Sequence, residues 1–243
     1  NLTQPFTAEW NGDPRALFWR LCEQSPAPFA TYVEDGRGTA VIGSSPEEFL
    51  WRDGAFVRTR PIKGTRPRGA DAASDARLLA ELLASEKDEA ELAMIVDLLR
   101  NDLGKVAETG SVQVGPFPEH ASFAQVHHLF ATVTAKLRAG TTAVDLLRAT
   151  FPGGSITGCP KQRCLEILEE LEVARRGVYT GACGWFGPGD RLHLAIAIRT
   201  LVHHEGRLRG NAGGGVTSLS DPHFEWQETL QKMAGLERAL QKR

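Results

Sequence analysis

Short runs rich in apolar and β-branched residues at 29–33, 39–44 and 55–60 are separated by Asp35-Gly36 and Asp53-Gly54 turn signals. That pattern predicts short strands joined by hairpin turns. Residues 1–6 read as the end of a further strand. The period then changes: 76–84 and 87–103 carry apolar residues at helical spacing, with Leu92, Ile95, Leu98 and Leu99 on one face and Gly104 as a stop. Over 126–137 alternation returns, placing His127, Leu129, Ala131, Val133 and Ala135 on one side and His128, Phe130, Thr132 and Thr134 on the other. A helix is expected over about 160–176, with Pro160 in its first turn and Gly177 just past its end. Strands follow at 178–186 and 192–203, and Glu205-Gly206 leads into a strand ending in Gly213, Gly214 and Gly215. Ser220 or Asp221 caps a last helix that has Pro222 in its first turn and runs to about Leu240. Strands and helices mixed in this way, with hairpin turns, predict an α+β fold with largely antiparallel sheets rather than a doubly wound parallel one.

Composition narrows the function classes. The chain has 243 residues, 42% hydrophobic, enough for one large core or two small ones. A net charge of −2 with both signs interspersed argues against a nucleic-acid partner. No apolar run approaches the ~18 residues of a membrane span, and no signal-peptide pattern opens the chain. The first residue is Asn1, so the start is expected to be a truncation or a domain cut. Cys22, Cys159, Cys164 and Cys183 show neither CxxC nor zinc-like spacing and are expected as small buried thiols of a cytoplasmic protein.

Several segments carry candidate chemistry. On the last helix Glu225, Glu228 and Lys232 fall at i, i+3 and i+7, and on an earlier one Asp88 and Glu91 stand one turn apart. Such carboxylates offer Mg²⁺ its oxygen ligands, and the same spacing suits a solvated charged face. TRPIKGTRPRG (59–69) is expected as a strand running into a turn, with five cations between Arg58 and Arg68. It fits an exposed basic loop, an anion site, or a lysine kept neutral by nearby positive charge so that it can act as a nucleophile. Alternation sets Lys63 with Thr59 and Pro61, opposite Arg58 and Arg60. FPGGSITGCPK (151–161) is a glycine- and hydroxyl-rich loop entering a helix, able to bind an anion or to serve as a plain turn, and it lacks Walker A spacing. Gly213, Gly214 and Gly215 allow close backbone approach. Arg199, with Ala195 and Ala197 on its own face, has room to grip a ligand carboxylate through two parallel hydrogen bonds, or to form an ordinary ion pair. His127 and His128 suit structural roles as well as catalytic ones.

Taken in order, SSPEEFL (44–50), TRPIKGTRPRG (59–69), KDEAELAMIVDLLRNDLGKV (87–106), VHHL (126–129), FPGGSITGCPKQRCLEILEELE (151–172), AIRT (197–200) and DPHFEWQETLQK (221–232) resemble the motifs of chorismate-utilising enzymes. That family includes anthranilate, aminodeoxychorismate, isochorismate and salicylate synthases. Lys63 in PIKGT resembles the aminodeoxychorismate-forming branch, since the others usually carry a small residue there. The chain departs from the family pattern at Leu92 and Ala93 and at Cys159, which stands where alanine is usual.

The resemblance implies a layered α/β sandwich of two largely antiparallel sheets flanked by helices, forming a single chorismate-binding catalytic domain over 1–243 that lacks its N-terminal part. It also implies a chemistry. Mg²⁺ held by Glu91 and Glu228, with Asp88 and Glu225 nearby, would bind the ring carboxylate of chorismate. Arg199, Tyr179 and the amides of Gly213, Gly214 and Gly215 would hold the enolpyruvyl carboxylate, with Lys232 adding charge. Lys63 would attack ring C2, Glu47 would protonate the departing 4-hydroxyl, and ammonia from a glutamine amidotransferase partner would then displace the lysine. His128, Thr65, Ser155 and Thr157 would line or orient the pocket. The alternatives are an anthranilate-forming enzyme of the same family and a non-catalytic homologue that serves as a scaffold for the amidotransferase.

Overall fold

A computed structural model describes residues 1–218 and 220–241. In chain order its elements are β1 (Leu2–Glu9), α1 (Pro14–Gln24), β2 (Phe29–Glu34), β3 (Thr39–Ser45), β4 (Glu48–Asp53), β5 (Phe56–Arg60) and β6 (Ile62–Pro67). Next come α2 (Ala72–Leu83), α3 (Glu86–Gly104), β7 (Gln113–Val114), β8 (Glu119–Ser122), β9 (Val126–Phe130), β10 (Val133–Lys136) and α4 (Ala143–Thr150). After a 3-10 turn, Gly154–Ile156, the chain ends with α5 (Lys161–Leu171), β11 (Ala182–Gly187), β12 (Arg191–Ile196), β13 (Thr200–His204), β14 (Arg207–Gly214) and α6 (Pro222–Leu240). The contacts divide these into two units: Asn1–Glu47 with Ile156–Gly184 and Ala195–Arg243, and Glu48–Ser155 with Trp185–Leu194.

The first unit is built on an antiparallel sheet of order β1-β14-β13-β3-β2. Asp13 caps α1 by accepting from the Arg15 and Ala16 amides, and Pro14 fits the first turn. Leu17 and Leu21, one turn apart, then meet Ile42, Leu201, Leu208, Met233 and Leu236 in one core. The final helix is α6, which Asp221 caps through the His223 and Phe224 amides, as the sequence predicts. Sequence periodicity does not pick out α1, because Trp19, 65% exposed, puts a large apolar residue on the face opposite Leu17 and Leu21.

The second unit holds a sheet of order β6-β9-β8 and most of a sheet of order β11-β12-β4-β5-β10-β7, to which it contributes Trp185–Leu194. Helix α3 begins at the Ser85 cap and buries Leu92, Ile95, Val96, Leu98, Leu99 and Leu103 at helical spacing. The expected α+β class with antiparallel sheets is found, with a three-stranded sheet beyond the two that were expected.

Several expected elements are divided or shortened. The stretch 59–69 is not a strand followed by a turn: β5 and β6 are strands of different sheets, separated at Pro61, so alternation does not carry from Thr59 to Lys63. Residues 126–137 divide likewise into β9 and β10, at the point where the Ala131 amide donates to the Pro61 carbonyl at 3.2 Å. Residues 192–203 divide into β12 and β13 because Arg199 adopts φ 48°, which no strand tolerates. Helix α5 stops at Leu171, short of Arg176, and Gly177 at φ 63° belongs to a later turn. The strand expected at 178–186 begins only at Ala182, after Thr180 at φ 63°. The cysteines are less buried than expected: Cys159 is exposed and Cys22, Cys164 and Cys183 are half-buried, all four free. Among the described residues no helix is long and apolar enough to cross a membrane.

The core of the first unit is testable. Leu17→Ala removes a fully buried side chain and is expected to cost about 2–5 kcal/mol in denaturant unfolding. Its exposed neighbour, in Trp19→Ala, should change stability by no more than about 0.5 kcal/mol.

Candidate active site

The second unit brings Lys63, Thr65, Asp88, Glu91 and His128 together around β6. The β6–β9 ladder runs Lys63 opposite Leu129 and then Thr65 opposite His128, so Gly64 is a bulge between them. Gly64 has φ +76°, and a Cβ there would lie 3.0 Å from Asp88 Cβ, so only glycine lets β6 lie this close to α3. Lys63 Nζ stands 4.0 Å from Glu91 Oε2, both side chains about 15% exposed. Lys87 Nζ approaches the other oxygen of Glu91 at 3.8 Å, and Arg66 donates to Asp88 at 3.2 Å. Thr65 Oγ1 and His128 Nδ1 share a hydrogen bond of 2.9 Å, which fixes the imidazole.

The five cations of 58–68 do not form the exposed basic loop that composition allows. Arg58 forks onto the buried Glu48 carboxylate through two 2.8 Å bonds, and His193 reaches the same group at 3.0 Å. Arg60 lies 4.6 Å above the Phe130 ring. Arg68 forks onto Asp75, which also accepts from the Gly69 amide and His127 Nε2. His127, 1% exposed and also bonded to Ser122, is therefore structural. Ser155 is buried in the 3-10 turn, where a Cβ on Gly154 would come within 2.9 Å of Leu98.

In the first unit, Glu225, Glu228 and Lys232 converge on the end of β14. A Cβ on Gly214 would lie 3.0 Å from Glu225 Oε2, 3.8 Å from Glu228 Oε1 and 3.9 Å from Lys232 Nζ. Lys232 donates to the Gly213 carbonyl at 2.8 Å and pairs with Glu228 at 2.6 Å, while Ser220 donates to Glu225 at 2.6 Å. Ser220, the alternative cap, thus serves a candidate ligand. Gly213 is needed for another reason: a Cβ there would meet the Leu2 carbonyl at 2.0 Å. Gly215 follows the strand, half-buried.

Arg199 precedes β13, whose antiparallel ladder with β14 sets this end of β13 near the glycine end of β14. Burial lowers the pKa of its guanidinium, and among the described residues no side chain pairs with it. An anion would relieve that cost. Thr180 donates to the Ala197 carbonyl at 2.8 Å and Ala197 to Gly181 at 2.9 Å, which fastens the Tyr179 turn beside the Arg199 break. Burial pushes the Tyr179 phenol up to about 12, so it stays a neutral donor. Glu47 is 5% exposed at the end of the first segment, and Thr157 is buried.

Sequence reasoning missed the charges that surround the expected ligands. Lys87 was detectable, four residues before Glu91 on one helix. Arg66 beside Asp88 and Ser220 beside Glu225 carry no such signal. Among the described residues no group of three or more His, Cys, Asp or Glu is placed to hold a metal ion.

In the first unit an arginine without a counter-ion among the described residues suits an anionic group, and a pair of carboxylates beside Gly214 suits a hard cation. The chain belongs to the family of chorismate binding enzymes, whose sequence profile matches residues 1–238. It is 48% identical to an aminodeoxychorismate synthase of Streptomyces griseus over 98% of this chain and 33% of that protein. It is 47% identical to aminodeoxychorismate synthase component 1 of Klebsiella aerogenes, over 96% of this chain and 51% of that one. The crystal structure of anthranilate synthase component I from Streptococcus pneumoniae TIGR4 superposes with a TM-score of 0.87 at 37% identity, over 97% of this chain and 52% of that one. The chain thus spans between a third and about half of the length of these relatives.

The Asp75 cluster gives a pH prediction. Its bonds from Arg68, Gly69 and His127 hold the Asp75 carboxyl below its ordinary value. Because the folded pKa is depressed, the contribution is present above the unfolded value of about 3.9 and is lost as pH falls below it. The denaturant midpoint should therefore fall more steeply between about pH 5 and 2 in the native protein than in Asp75→Asn. Equal slopes would show that Asp75 contributes nothing to the acid limb.

Proposed function

We propose that the protein carries out the chorismate-amination reaction of an aminodeoxychorismate synthase, as its component I. The observation that carries this reading is Lys63, mostly buried and 4.0 Å from Glu91, in the position where a nucleophile distinguishes this branch of the family. The 47% and 48% identical relatives bear that name. In this reading the amine of Lys63 attacks ring C2 of chorismate, the ring double bonds shift, and the 4-hydroxyl leaves with a proton from Glu47. Ammonia then bonds to C4, the electrons return, and the C2–N bond to Lys63 breaks, giving 4-amino-4-deoxychorismate.

The guanidinium of Arg199, without a counter-ion among the described residues, the neutral Tyr179 phenol and the amides around Gly213, Gly214 and Gly215 bind the enolpyruvyl carboxylate. Lys232 adds positive charge, while His128 (held by Thr65), Ser155 and Thr157 orient the ring. The donor set also fits Mg²⁺: Glu225 and Glu228 present hard oxygens over an unhindered Gly214, and Asp88 and Glu91 offer the same ligand type. Mg²⁺, when bound, would supply positive charge to the ring carboxylate. Ammonia would come from a glutamine amidotransferase partner, and the product would lead to para-aminobenzoate for folate biosynthesis. Four free thiols support a cytoplasmic site of action.

The test is to incubate the protein with chorismate, Mg²⁺ and an ammonium salt and to identify the product by mass. The expected product is 4-amino-4-deoxychorismate, with Lys63→Ala slower by about 10²-fold or more. Anthranilate as product, or an unchanged rate for Lys63→Ala, would overturn the assignment.

A further inference from the structure

The chemistry above leaves two thiols unused at the start of α5. Cys159 is exposed and sits one residue before the Pro160 cap; Cys164 lies in the first turn, its amide bonded to the Pro160 carbonyl at 3.0 Å. Side chains of a helix tilt toward its N-terminus, and Cys164 does so: its Sγ would lie 2.6 Å from a Cβ on Gly158. That places the sulfur within about 4 Å of Gly158 Cα, one peptide unit, about 3.8 Å, from Cys159 Cα. Gly158, at φ +151°, is the only residue between Cys159 and Thr157. The loop behind it is anchored, the Ile156 carbonyl accepting from Arg176 at 2.8 Å. Cys22 on α1 and Cys183 on β11 belong to other elements.

We propose that Cys159 and Cys164 form a peroxide-responsive dithiol whose disulfide, closed across the first turn of α5, shifts Gly158 and the Thr157 backbone and so weakens binding of the chorismate dianion. In the first step the Cys159 sulfur attacks hydrogen peroxide: an S–O bond forms, the O–O bond breaks, and the departing hydroxide takes the thiol proton as water. In the second, the Cys164 sulfur attacks the sulfenic sulfur and expels its hydroxyl, which leaves as water with the Cys164 proton. Two thiols are oxidised and one peroxide is reduced to two waters. A disulfide needs its Cα atoms within about 6.8 Å, and the closure draws Cys159 over the turn against the thiol already lying on Gly158.

The experiment treats the whole protein with hydrogen peroxide at near-stoichiometric amounts, alkylates free thiols and digests with trypsin. Cleavage after Lys161 and Arg163 makes the disulfide visible as peptide 149–161 joined to peptide 164–175. Two of the four thiols should be lost and return with dithiothreitol; Cys159→Ser and Cys164→Ser should each abolish the link, and Cys22→Ser should not. A link to Cys22 or Cys183, separate over-oxidation of Cys159 and Cys164, or four thiols still alkylatable would overturn the dithiol.

The effect on anion binding rests on the proposed chorismate site and is read by chorismate titration. Affinity should fall about tenfold or more on oxidation, recover with dithiothreitol, and stay unchanged in peroxide-treated Cys159→Ser. Equal affinity of oxidised and reduced protein would overturn the loop effect. Failure of reduced protein to bind chorismate would instead refute the functional assignment, leaving the peptide map to decide the disulfide.

Discussion

Pro61 has no backbone N–H, so it cannot extend the ladder of β5, and its carbonyl instead receives the Ala131 amide at 3.2 Å. Both chain segments change sheets around this single hydrogen bond: β5 gives way to β6 and β9 to β10. Had β5 run on, Lys63 would have stayed in the six-stranded sheet with Thr59. The change of sheet, followed by the bulge at Gly64, presents Lys63 and Thr65 to different partners, Glu91 on α3 and His128 on β9.

The second constraint is charge. Asp88 is answered by Arg66, Glu91 by Lys63 and Lys87, Glu225 by a hydroxyl, and Glu228 by Lys232. Such pairs hold side chains in place at little net gain in stability where they are exposed. Arg199 is the exception, desolvated and without a counter-ion among the described residues. An unrelieved cost of that kind points to function more clearly than any of the paired charges does.

Much of the fold was legible because local rules governed it. The capped α6, the α3 stripe from Leu92 to Leu103 and the Asp-Gly turns all follow from neighbours in sequence. Where the sequence misled, a long-range contact had overridden a local pattern. The uniform alternation of 126–137 cannot show that its two halves pair with different strands. Helix α5 ends early as Glu172 turns away, its carboxylate taken by Thr3 and Arg176. Arg199 has a strand-like context on both sides and still breaks it.

The residues expected at the site were chosen by motif, and the order of those motifs determined the family and the residue types available for catalysis. Sequence also determined that Glu225, Glu228 and Lys232 share a helix face, since helical spacing requires it. Only the tertiary structure decided that this face meets Gly214, that Gly64 brings β6 against Asp88, and that Cys164 rests on Gly158. These are approaches between backbones and side chains far apart in sequence or across a turn, set by packing density and by the absence of a Cβ. No periodicity along the chain encodes them.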